Sequence, residues 1–122
     1  MNTAEYVRNV LRTRSTKVPH FPNQESIDLF HAIIGIGTEA GELLDVIKKD
    51  VFQGKPIDRT NLKEEFGDLM WYVALGCHAF GFSLEDVMAS NIKKLQTRYP
   101  EKFSEEASAK RDLEAERKAL ED

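Results

Sequence analysis

Glu39 and Glu42 stand three residues apart, and Glu65 and Asp68 repeat that spacing further along the chain. On a helix, residues at i and i+3 lie on one side, so each pair presents two carboxylates to the same neighbour. In the stretch around the first pair, Leu29, Ile36, Ala40, Leu43 and Ile47 share a face at helical spacing. Glu39 sits on the shoulder of that face, about 60° from its centre at roughly 100° per residue. Glu42 lies a turn further on and slightly outward, and Asp45 points further toward solvent. The stretch from Leu69 to Phe82 is apolar nearly all the way round, as in a helix covered on most sides. Yet Glu65 and Asp68 align with Tyr72, Leu75 and Ala79 on it. Ionised carboxylates are almost never buried unless paired or bound to a metal. One reading is a structural ion-pair network with Lys48, Lys49 and Lys63. The other is a cation held among four like charges, favoured by the shortage of Lys and Arg on the same stripes. Hard oxygen donors, without clustered Cys or His, suit Mg²⁺ or Mn²⁺ better than zinc or copper.

Helices must position these groups. Asn2 with Glu5 reads as the cap of a first helix carrying Tyr6, Val7, Val10 and Leu11, which fades over Thr13 to Lys17. Pro19 and Pro22 bracket a loop. A second helix runs from about Asn23–Ser26 to Lys49, and Phe52 to Thr60, with Gly54, Pro56 and Asp58, is a turn. A third helix spans about Asn61 to Phe80 and stops at Gly81. Ser83 and Asp86 read as a capping box for a fourth, ending before Pro100. The tail from Ser104 reads as a solvated helix, with Leu113 and Leu120 its only large apolar residues, or as one that packs on a partner subunit. No strand-like alternation and no repeat is present. The fold class is therefore all-α, a helix bundle of four to five helices.

The 122 residues suffice for one domain, and its thin core makes oligomerisation an expectation. A net charge of −4 without a basic cluster speaks against a nucleic-acid polymer as partner. The one cysteine, Cys77, excludes an internal disulfide framework and a Cys-rich zinc site, and it reads as a small buried hydrophobe. The longest apolar stretch, near Met70 to Phe82, is too short to span a bilayer, and no signal region opens the chain. No membrane partner and a cytoplasmic location, in a bacterium or in the host cell of a phage, are expected.

The motifs Glu39-Ala-Gly-Glu42 and Glu65-Phe-Gly-Asp68 resemble the ExxE…ExxD signature of the MazG-like all-α nucleoside triphosphate pyrophosphohydrolases. The segments GTEAGELLDVIKK, NLKEEFGDLMWYVA and NIKKLQTRYPEKF look like family blocks in the right order, covering roughly residues 25 to 103. The resemblance implies a catalytic domain over 1–103 with a charged helical tail at 104–122. It implies hydrolysis of a nucleoside triphosphate between the α and β phosphorus atoms, giving monophosphate and pyrophosphate. It further implies two or three Mg²⁺ ions per site and a homodimer or homotetramer sharing its bundle helices. Residue by residue, Glu39, Glu42, Glu65 and Asp68 would be the metal ligands, with Glu39 or Glu42 the better placed to take a proton from water. Asn91, Lys94, Arg98 and Tyr99 would match positions that contact phosphates or the metal shell. Read without the family, Lys94 and Arg98 are a solvated basic edge, and Asn91 interrupts the apolar row Leu84, Val87, Met88 and Leu95 and needs partners for its amide. His31, Trp71 and Phe21 are candidates for the nucleoside pocket, against the ordinary use of such rings as filling.

The compact form resembles stand-alone or phage-type members, which makes a dNTP the expected substrate, with purine ahead of pyrimidine. A phosphoribosyl-ATP pyrophosphohydrolase and a non-catalytic helical dimer that binds a metal or a partner are the competing readings.

Overall fold

A computed structural model describes residues 1–16 and 20–121; Lys17, Val18, Pro19 and Asp122, and with them the expected end of the first fade and the first loop proline, lie outside the described residues. Those residues form six helices and no strand: α1 Thr3–Thr13, α2 Gln24–Gln53, α3 Arg59–Ala79, α4 Leu84–Arg98, α5 Glu105–Ala109 and α6 Leu113–Glu121. The fold is all-α. The count exceeds the expected four to five because the tail is broken in two. By its contacts the chain divides into a unit of Met1–Phe82 and a unit of Ser83–Asp122.

Helix ends follow local chemistry. The Asn2 side chain accepts from the Glu5 N–H at 2.8 Å while Glu5 reaches back to the Asn2 N–H, completing a capping box. Asn23 caps α2 through the Ser26 N–H at 2.8 Å. That helix runs four residues past its expected end at Lys49, because nothing in Asp50–Gln53 breaks it before Gly54 turns left-handed at φ 63. Only there do the Gly54 and Lys55 N–H groups fold back onto the Lys49 carbonyl. Asp58, expected in a turn, accepts from the Thr60 and Asn61 N–H groups and so starts α3 two residues early. Ser83 accepts from the Asp86 N–H at 3.3 Å, opening α4.

In the first unit α2 lies along α3, and α1 against α3. The face that α2 buries is Ile27, Asp28, Ala32, Gly35 and Glu39. This corrects the expected face: Leu29, Ile36 and Leu43 are half-buried, and Ala40 and Ile47 are exposed. Close approach explains the choice. A Cβ on Gly76 would stand 3.2 Å from the Ala32 methyl, and the Tyr72 ring lies directly on Gly35. Small residues let the helices approach, and the dense packing that results outweighs covering larger side chains elsewhere. From α3 come Ala74, Leu75 and Ala79, so the expected stripe faces inward at Tyr72, Leu75 and Ala79 and in part at Glu65, while Asp68 at its edge is exposed. Fully buried Leu75 alone contributes about 2 kcal/mol by area removed from water. Val10 is buried on α1, whose end is fixed by the Trp71 indole N–H donating to Thr13 Oγ1 at 3.0 Å. The outer side of α2 leaves Phe30, Ile33, Ile34, Leu44 and Val51 mostly exposed, and Phe66 and Met70 on α3 likewise. Cys77 is half-buried rather than buried. No helix among the described residues is long and apolar enough to cross a membrane.

In the second unit α6 packs along α4. This corrects the solvated tail. Its only large apolar residues, Leu113 and Leu120, are exposed, while Glu116 and Ala119 are buried. Glu116 meets two guanidinium groups: Arg98 Nε and Nη2 donate at 2.7 and 3.0 Å, and Arg111 Nη2 donates at 2.6 Å. A carboxylate clamped by two forks fixes the tail where large hydrophobes do not. Asp112 caps the start of α6 through the Ala115 N–H, which is where the tail breaks.

Candidate active site

Three of the four predicted carboxylates converge. Oxygens of Glu39, Glu42 and Glu65 lie within 4.8 Å of one another. The pairing follows from the helix register: the inward faces of α2 and α3 meet along their length, and each brings its carboxylates to the same level. Glu39 occupies the middle of the buried α2 face at 8% exposure, not its shoulder, and Glu42 is exposed on the rim. Asp68 stands outside the tight trio, yet its charge acts on Glu39, Tyr72 and Tyr6.

The trio is electrostatically unfavourable as it stands. The Glu65 carboxyl is pushed up to about 7 by its close contact with Glu42, by burial and by its contact with Glu39. Burial first, and the neighbouring Glu42 and Asp68 charges after it, raise Glu39. Among the described residues no Lys or Arg is ion-paired with the trio. The lysine bridge nearby goes elsewhere, from Lys49 Nζ to Asp45 at 2.7 Å. Glu39 Oε2 and Glu65 Oε2 are buried without a hydrogen-bond partner. Orphaned buried carboxylate oxygens from two helices, all hard donors, are what a divalent cation of the Mg²⁺ or Mn²⁺ kind requires, and the residues fit it.

Aromatic residues border the trio along α2 and α3. His31 stands two turns before Glu39, its ring 5.8 Å from that of Trp71 and 5.3 Å from that of Tyr72, edge to face. His31 Nδ1 is buried and unpartnered. Trp71 serves the fold through its bond to Thr13. Phe21 packs edge-on against Phe30 instead, at 5.5 Å. Two tyrosines beside the site do not stand out as site residues in the sequence. Burial, and then the Glu39, Asp68 and Glu42 charges, raise the Tyr72 phenol; burial and Asp68 raise Tyr6. Tyr72 is legible in principle, because it continues the stripe of Glu65 and Asp68. Tyr6 is not, since it reaches the site from a separate helix.

In the second unit, Asn91 is exposed to solvent, as are Val87 and Met88, so its amide interrupts no covered row and needs no protein partner. Lys94 is half-buried. Arg98 is bound to Glu116, and its guanidinium carbon lies 5.7 Å from the centre of the Tyr99 ring. Tyr99 also contacts Phe103 at 5.4 Å, and its phenol is lowered by Ser108 and Arg98.

Helices that bring paired carboxylates to one focus make an all-α candidate site for a divalent cation, and comparison with known proteins narrows the class. The profile of the MazG nucleotide pyrophosphohydrolase domain matches residues 30–103, and the chain belongs to that family. The Gene 37 protein of Mycobacterium phage L5 is 34% identical over 74 residues, a match covering 57% of this chain and 65% of that relative. The chain thus spans just under two thirds of the phage protein it matches. No solved structure matches the chain significantly.

Proposed function

We infer that the protein hydrolyses a deoxynucleoside triphosphate, with purine ahead of pyrimidine, to the monophosphate and pyrophosphate, in control of the nucleotide pool. The observation that carries this reading is the trio of Glu39, Glu42 and Glu65, with buried oxygens that lack any partner. In it, Glu39, Glu42 and Glu65, with Asp68 from beside them, would hold two or three Mg²⁺ ions. When bound, such ions neutralise the triphosphate and lower the pKa of water. Glu39 or Glu42 takes the proton as the water oxygen bonds to the α-phosphorus and the bond to the α–β bridging oxygen breaks. His31 and Trp71 present rings toward the nucleoside, and Asn91, Lys94, Arg98 and Tyr99 are the phosphate-contacting set that the resemblance implies. Residues 1–103 form the catalytic domain in this reading, with 104–122 its tail. The exposed apolar residues of α2 support a homodimer or homotetramer, which light scattering would detect. The preference for a dNTP is supported by the match to a phage protein.

The test is a panel of nucleotides assayed with Mg²⁺ and read by phosphorus NMR. Monophosphate and pyrophosphate are expected as the first products. Diphosphate with orthophosphate would reject the chemistry, and inertness toward every triphosphate would return the chain to a binding role. Glu42→Gln and Asp68→Asn should each lower kcat/KM at least about a hundredfold.

A further inference from the structure

Beyond the trio, the groove between the end of α2 and the start of α3 opens into a cleft of about 420 Å³. Glu42 and Glu65 form one end of it, and Lys49, Lys55 and Asn61 stand along the rest beside Asp45. Its volume lies at the small end of ligand sites, and its lining has no aromatic ring on which a base could stack. The rings lie on the other side of the trio. Along α2 the order is His31, Glu39, Glu42, Lys49. At a rise of about 1.5 Å per residue, His31 stands about 12 Å before Glu39 and Lys49 about 10 Å after Glu42.

We propose that this cleft is the subsite for the pyrophosphate half of the substrate, held by Lys49 and Lys55 with Asn61, so that the triphosphate runs along α2 with its nucleoside toward His31. The assignment rests on the proposed hydrolysis and adds a direction and two cationic residues to it. Charge supports the direction. Once the trio's charge is met by divalent cations, the remaining carboxylates of the cleft are Asp45 and Asp58, and both have partners: Asp45 bonds to Lys49, and Asp58 accepts from the α3 N–H groups. The Lys49–Asp45 pair is half-exposed on both sides, the kind of bridge that contributes little and is readily exchanged for a phosphate oxygen. Lys55 feels Asp45 only through space. As the bond to the bridging oxygen breaks, negative charge grows on the departing pyrophosphate, and ammonium groups at that end stabilise it.

The experiment compares the wild-type protein with Lys49→Gln, Lys55→Gln and the double variant, using Lys63→Gln as a control outside the cleft. Inhibition of dNTP hydrolysis by each product is measured, together with calorimetric titration of magnesium pyrophosphate, which needs no turnover. The expected result is that pyrophosphate inhibits the double variant at least about tenfold more weakly and binds it correspondingly less. Inhibition by the monophosphate and the Mg²⁺-induced rise in Tm should be unchanged. Arginine at either position should restore pyrophosphate binding. Pyrophosphate binding equal to wild type in the double variant would overturn the proposal, and so would selective loss of monophosphate inhibition, which would reverse the direction. Should the wild-type protein cleave no triphosphate, the hydrolysis reading fails while the titration still decides the cleft.

Discussion

Replacing Gly35 by alanine separates two physical effects of opposite sign. Helix propensity alone predicts stabilisation, because alanine in a helix interior is favoured over glycine by about 1 kcal/mol. Packing predicts the reverse. A Cβ at position 35 would overlap Cδ1 and Cε1 of the Tyr72 ring and stand 2.5 Å from its Cγ, where carbon pairs settle at roughly 3.5–4.0 Å. Turning the ring about its own axis leaves Cγ in place, so relief needs a change of χ1 or a shift of α2 away from α3. A χ1 change removes the ring from His31 at 5.3 Å and Trp71 at 5.1 Å. Each such aromatic pair contributes about 0.5–1.5 kcal/mol beyond its area. A helix shift instead carries the general cost of overpacking, about 1–3 kcal/mol. Set against the propensity gain, the net is a loss of up to about 2 kcal/mol, and of about 1–3 kcal/mol relative to a glycine-to-alanine change that meets no neighbour. For a chain of this size that lowers Tm by up to roughly 8 °C, and by roughly 4–12 °C relative to such a change. Thermal melts followed by circular dichroism, with denaturant titrations, measure it. Gly37→Ala and Gly67→Ala are internal controls, because a Cβ there meets nothing within 4 Å. Both should match or exceed wild type. A Gly35→Ala protein as stable as these controls would refute the close packing of α2 on α3 at Tyr72.

Other outcomes follow from the same structure. The Glu65 carboxyl, raised to about 7, binds its proton more tightly when folded than when unfolded. The metal-free protein should therefore lose stability as pH rises from the ordinary carboxylate value of about 4.3 through 7, and Tm against pH with and without Glu65→Gln reads this, the variant falling less steeply because only Glu39 then stays raised at the site. Because that proton must leave, calorimetry should show Mg²⁺ binding more weakly below pH 7. Glu116, held down to about 2 by Arg98 and Arg111, works in the other direction: its contribution is complete above the ordinary carboxylate range and is lost as pH falls toward 2, so Glu116→Gln should lower Tm at pH 7 and little at pH 2. Asp28→Ala removes a carboxylate that bonds Arg14 at 3.0 Å and Gln24 at 2.7 Å, and should cost about 3 kcal/mol in denaturant unfolding. Leu75→Ala, by leaving a cavity in the core, should cost about 2–5 kcal/mol.

How much of the fold and site is legible in the sequence depends on which force decides each feature. Helix starts are readable, because Asn2, Asn23 and Ser83 act on N–H groups only three residues away. Face assignment is less so. A tally of large apolar residues centres α2 on Ile36 and Ala40, but the packing against α3 is set by Ala32 and Gly35, whose value lies in what they lack. The same error puts Glu39 on a shoulder. In the tail, Leu113 and Leu120 stand out by hydropathy while Glu116 does the anchoring. A buried charge is invisible to hydropathy until its arginine partners are brought to it by the fold.

The true position of Glu39 strengthens the functional argument. A glutamate on a shoulder can turn to water, and its presence demands nothing. A glutamate in the middle of a helix–helix contact, beside Glu65 and without a cationic side chain, lowers the stability of the metal-free protein once both carboxyls are ionised. An apolar residue there would serve the fold better, as Gly35 and Ala32 do one and two turns earlier on the same face. The fold thus carries an electrostatic penalty at the one level where α2 and α3 each contribute carboxylates, and small residues keep the helices close on the approach to it. Close helices hold the oxygens within 4.8 Å of one another. An arrangement that costs stability in isolation, and would recover it on binding a divalent cation, is what the proposed metal-dependent hydrolysis needs. It is also why the Gly35 and Glu65 substitutions test one proposition from two sides.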